Sequence, residues 1–122
     1  MPTQPRHVRY RCELYASIDA AAAQTRARVL EMSESGAFIE EAQGFDDCQV
    51  GDEATMTLAL PGGEPWSGRF RISRLGTTRR EVRDPRVEHV TVSARGYGVE
   101  FVAVDDDELE RLRDFLELLE LR

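Results

Sequence analysis

The sequence contains no lysine: all 16 cationic residues are arginine, against 23 Asp and Glu, for a formal net charge of -7. That balance excludes broad electrostatic capture of DNA or RNA, which needs a basic surface to release counterions from phosphate. No apolar run approaches the ~20 residues of a membrane helix, so no membrane span is expected. The start, MPTQPRHVRYR, has neither an apolar stretch nor a small-residue cleavage pattern, which predicts a cytoplasmic protein under reducing conditions. Cysteine is scarce. Cys12 and Cys48 have no metal-ligand spacing with each other or with His7 and His89, and read as half-buried thiols acting as small apolar residues. No nucleophile stands with a base, and no carboxylate pair or metal cluster can be assembled, so neither an enzyme nor a cofactor is expected.

What remains is enough chain for one core. At 122 residues a second independent core has too little sequence to build it, so residues 1–122 form a single domain. Tyr10, Cys12, Leu14, Ala16 and Ile18 alternate with mostly polar residues, the period of a half-buried strand. A second strand follows around Thr25–Met32, a break at Ser33–Gly36, and a third over Ala37–Ile39. Ala54, Met56, Leu58 and Leu60 alternate as a fourth, and Pro61-Gly62-Gly63 turns into a fifth around Trp66–Leu75. Gly76–Arg86, with Arg79, Arg80, Arg83 and Arg86 and no apolar period, reads as an exposed loop. Val90 with Val92, then Val99 with Phe101, read as two short strands around a turn at Arg95-Gly96.

The period then changes. Leu109, Leu112, Leu116 and Leu119 recur at helical spacing, predicting one amphipathic helix over 105–121. Asp105 and Glu108 have the spacing of a capping box, and the acidic run from Asp105 suits the positive end of a helix dipole. The fold class is therefore mainly all-β: a six- or seven-stranded antiparallel barrel closed by one C-terminal helix. Leu14, Met56, Leu58, Phe70, Ile72 and Phe101 should share its core, with Trp66 as core or edge packing. Leu118 and Leu121 lie off the helix's apolar face, which leaves a monomer or a weak homodimer as the expected state.

Residues 1–8 read as a flexible arm carrying Arg6, with Arg9 and Arg11 at the start of the first strand. An arginine guanidinium is planar and offers paired donors to phosphate or to the guanine edge; an arginine-rich genome gives the same composition. Glu31-Met32-Ser33-Glu34-Ser35-Gly36 sets an acid, a hydroxyl and a glycine at offsets of two and five between two strands. Together these residues resemble the PilZ family, whose signatures are Arg, three residues, Arg, and then Asp or Asn, any, Ser, any, any, Gly. The likeness continues through Ala37-Phe38-Ile39, Val50-Gly51-Asp52, Leu60-Pro61-Gly62-Gly63 and Gly98-Val99-Glu100-Phe101, covering about Arg6 to Leu119.

The resemblance implies a barrel that binds cyclic di-GMP across Arg6, Arg9, Arg11, Glu31, Ser33 and Gly36. Binding would order the arm and change the contact made with a regulatory protein partner. The sequence departs from both signatures. Glu31 stands where the family has Asp or Asn. His7 lies four residues before Arg11, Pro5 four before Arg9, and Tyr10 four after Arg6. A second reading follows from these departures: a degenerate PilZ domain without the nucleotide, acting as an adaptor in motility, polarity or envelope regulation.

Overall fold

The computed structural model describes residues 9–20, 23–41, 48–60, 64–84 and 87–120. Six strands, β1 (Tyr10–Ala20), β2 (Ala23–Met32), β3 (Gly36–Glu40), β4 (Glu53–Ala59), β5 (Pro65–Asp84) and β6 (Val87–Ala103), precede one helix, α1 (Asp106–Glu120). All pairings are antiparallel, and the strands close in the order β1-β2-β3-β6-β5-β4, with β4 returning to β1. Each strand is thus paired on both sides over part of its length. The alternation seen in β1 and β4 is realised: Ala16, Ile18, Met56 and Leu58 are buried, joined by Val29, Met32, Ile39, Trp66, Phe70 and Ile72. Leu14 and Phe101 are partly buried against the same core. Leu58 is surrounded on all sides, so Leu58→Ala should cost roughly 2–5 kcal/mol, measurable by denaturant unfolding.

α1 follows the leucine period and inserts Leu112, Phe115 and Leu116 into this core. Its attachment runs through Trp66, which is 0% exposed, stands edge-on to Phe101 at 5.3 Å, and donates its indole N–H to Glu108 O at 2.7 Å. The capping-box expectation is corrected here. Glu108 turns its carboxylate to the barrel, accepting from Ser67 N at 2.9 Å and from Arg111 at 2.9 Å. The Ser67 N–H, then Arg111, hold its acid strength above that of an ordinary glutamate, moving its pKa down.

Two further expectations fail for one reason. The stretch read as an exposed loop from Gly76 is strand, and the turn read at Arg95-Gly96 lies inside the continuous β6. β5 and β6 pair without another strand from Gly76↔Gly96 out to Asp84↔Val87. The described side chains of this ribbon alternate between exposed (Thr77, Arg79, Ser93, Arg95) and covered (Thr78, Ala94), but the covered positions of β5, Gly76 and Thr78, carry no large apolar group to mark the period; Leu75, at its root, is 60% exposed. It is fastened where Ala94 packs with Leu30 and Phe38 in a small cluster separate from the main core. The Pro61-Gly62-Gly63 turn and the arm of residues 1–8 lie outside the described residues, as does the end of the expected helix at 121.

Both cysteines are free and half-buried, as expected. The Cys12 thiol donates to Val29 O at 3.6 Å, and burial, reinforced by Glu31, pushes its pKa up to about 12, so it stays neutral.

Candidate functional site

β2 ends at Met32, and the chain reverses into β3 through a turn built on one hydroxyl. Ser33, 5% exposed, accepts the N–H of Ser35 and of Gly36 on its Oγ, each at 3.2 Å. Its own backbone N–H donates to Gly36 O at 2.9 Å. Gly36 is required by close approach: a Cβ there would stand 2.1 Å from Val99 O of β6. The turn is also tied to β6 by Phe101 N donating to Ser35 O at 2.9 Å. The hydroxyl at Ser33 therefore serves the turn's own backbone, and the turn is held rigidly against β6.

Beside this turn lies a cavity of about 130 Å³ whose lining includes Arg9, Glu31, Ser33, Ser35, Gly36 and Arg74. Arg9 comes from the residue just before β1, the turn from β2–β3, and Arg74 from β5, brought near because β5 and β3 flank β6. Arg74 lies flat on the sheet. Its guanidinium stands 5.6 Å from the Phe38 ring centroid, and its stem crosses Gly98, where a Cβ would meet Arg74 Cγ at 2.8 Å. A glycine at 98 thus gives the arginine a bed, and the ring below limits its rotamers.

Four of the six residues named from sequence, Arg9, Glu31, Ser33 and Gly36, meet at this cavity. Arg11 is exposed on β1, in register with Glu31, and is not among the lining residues; Arg6 lies outside the described residues. Glu31 has an unforeseen partner, accepting a 3.0 Å hydrogen bond on Oε2 from Thr78 Oγ1 of the ribbon. Arg74 and Thr78 were missed because each is far from the turn in sequence, and only the strand order puts β5 there. The neighbouring Glu34 is ion-paired with Arg113 of α1. Trp66, buried under α1, is core rather than a stacking surface. Among the described residues no group of His, Cys, Asp or Glu could hold a metal ion. No helix among them is long and apolar enough to cross a membrane.

The chain is a closed antiparallel barrel with one helix, and beside its Ser33–Gly36 turn lies a hollow lined by Arg9 and Arg74 together with Glu31 and Glu100. The family model for the PilZ domain matches residues 3–118, and the chain belongs to that family. In structure it is similar to the PilZ domain of YcgR from Escherichia coli, solved with c-di-GMP: TM-score 0.69, 17% identity, covering 97% of this chain and 92% of that one. It is also similar to the inhibitor of motility MotI of Bacillus subtilis, with TM-score 0.70 and 16% identity, covering 99% of this chain and 53% of that one. The K. pneumonia MrkH–c-di-GMP complex matches at TM-score 0.68 and 13% identity, over 98% of this chain and 54% of that one. The chain thus spans about half the length of the latter two. No curated protein matches the sequence significantly.

Proposed function

We propose that this chain is a cytoplasmic regulatory domain that binds cyclic di-GMP as a signal, not as a cofactor, and passes it on through contact with a protein partner. The observation that carries this reading is the convergence of Arg9 and Arg74 on the cavity beside the Ser33–Gly36 turn. Cyclic di-GMP brings two phosphates and two guanines. A guanidinium forms paired hydrogen bonds with phosphate or with guanine O6 and N7, and its plane stacks on a base. The cavity would take part of such a ligand, with Arg9 and Arg74 as its guanidinium contacts. The reading includes no catalytic step. The family, and relatives solved with c-di-GMP, support it.

The adaptor reading is favoured by two other observations. Arg11 is not among the cavity's lining residues, and the Glu31 carboxylate is taken up by Thr78. Calorimetry with cyclic di-GMP at moderate salt separates the two. Saturable binding at micromolar or lower Kd is expected, and no heat up to about 1 mM would refute the sensor. Glu31→Asp with His7→Arg restores both family signatures. The adaptor reading expects affinity to appear only in this double variant, whereas the sensor reading expects little change from an already binding wild type.

A further inference from the structure

Two arginines and two glutamates, Arg9 and Arg74 with Glu31 and Glu100, line one hollow of about 130 Å³. Opposite charges sharing so small a space ordinarily pair, because a carboxylate and a guanidinium form one of the strongest side-chain contacts. Here they do not: among the described residues no ion pair joins Arg9 or Arg74 to either glutamate. Glu31 is held instead by a neutral donor. Its Oε2 accepts from Thr78 Oγ1 of the β5–β6 ribbon at 3.0 Å.

Thr78 is fixed in that place by its cross-strand neighbour. Ala94, in register with it, packs against Leu30 of β2 and Phe38 of β3, which seats this point of the ribbon beside Glu31. Branching at Cβ restricts the threonine's rotamers, so its hydroxyl is a directed donor. Arg74 has its own support, the Phe38 ring at 5.6 Å from its guanidinium. A carboxylate released to rotate beside these arginines would pair with one of them, neutralise it, and put a negative charge where a phosphate has to sit. Resting on the reading of this hollow as a cyclic di-GMP site, we propose that Thr78 is a positioning residue: its hydroxyl holds the Glu31 carboxylate on the ribbon and so keeps Arg9 and Arg74 available to the ligand's phosphates. The bond that removes Glu31 as a ligand contact is then also what leaves the guanidiniums open.

Calorimetry with cyclic di-GMP and nitrogen NMR of the arginine side chains, both on the full chain, test this. Thr78→Val keeps the shape, removes the hydroxyl and should weaken binding at least about tenfold, while Thr78→Ser keeps the donor and should stay within about threefold of the wild type. Glu31→Gln takes a negative charge out of the hollow and should tighten binding about threefold. Adding Thr78→Val to it should change the affinity by less than about threefold, because no carboxylate is left to release. Without nucleotide, Thr78→Val should shift the Nε–H signal of Arg9 or Arg74 as the carboxylate pairs with it, and the double variant should lack that shift. Unshifted arginines in Thr78→Val, an affinity unchanged by it, a loss of affinity in Glu31→Gln, or a double variant as weak as Thr78→Val would each overturn the proposal. A wild type that gives no heat up to about 1 mM refutes the sensor reading instead, and the arginine signals of the nucleotide-free chain still decide whether Thr78 holds Glu31.

Discussion

Trp66→Ala should lower stability by about 4 kcal/mol and the melting temperature by roughly 10–20 °C. The side chain is completely buried, so its removal leaves a cavity at the junction of β5 and α1. It also removes the edge-on contact with Phe101 and leaves Glu108 O without its indole donor. Both losses fall on the attachment of the helix. Trp66→Phe keeps most of the volume and loses the N–H, and should cost markedly less, by an amount near one buried hydrogen bond, about 1–2 kcal/mol. Equilibrium denaturation with far-ultraviolet circular dichroism reads both. A loss under about 1 kcal/mol in the alanine variant would mean that the helix is not held to the barrel by this residue.

Arg74→Ala should weaken cyclic di-GMP binding by between about tenfold and a hundredfold while moving stability by no more than about 0.5 kcal/mol. The residue is exposed, and its partners are a ring face and a glycine bed, so the barrel does not depend on its charge. Arg74→Lys should not restore the affinity, because an ammonium cannot form the paired, planar contact or stack on a base. Arg11→Ala should have the smaller effect of the two arginines, since Arg11 does not line the cavity. Calorimetry on the purified variants gives these comparisons directly. An affinity unchanged in Arg74→Ala would move the ligand off this cavity.

Much of the site was visible in the order of residues because it is local. Ser33, Ser35 and Gly36 form their turn through bonds spanning two or three positions, and an acid, a hydroxyl and a glycine at that spacing are legible without a fold. Arg9 was legible as part of an arginine cluster at the start of a strand. Arg74 was not, because it comes from the far side of the barrel order and is marked by no neighbouring signal. The same contrast runs through the fold. β1 and β4 announced themselves because one face of each is buried, whereas β5 beyond Leu75 did not, because its described covered positions, Gly76 and Thr78, carry no large apolar side chain.

The period of each element that faces the core, the helix that follows the last strand, and the turn with its serine and glycine can be read from the order of residues. These rest on short-range chemistry: burial of alternate side chains, helical spacing, and a hydroxyl bonding its own backbone. The strand order of the closed barrel, not any local pattern, brings Glu31 to Thr78, turns Glu108 to Ser67 instead of its own helix, and sets Arg74 beside the same hollow as Arg9. Each of those pairs spans some forty or more positions and arises from the closure order of the strands. Closure is a property of the whole sheet, settled by which edges remain to be paired once every local hairpin has formed, and no stretch of residues encodes it alone.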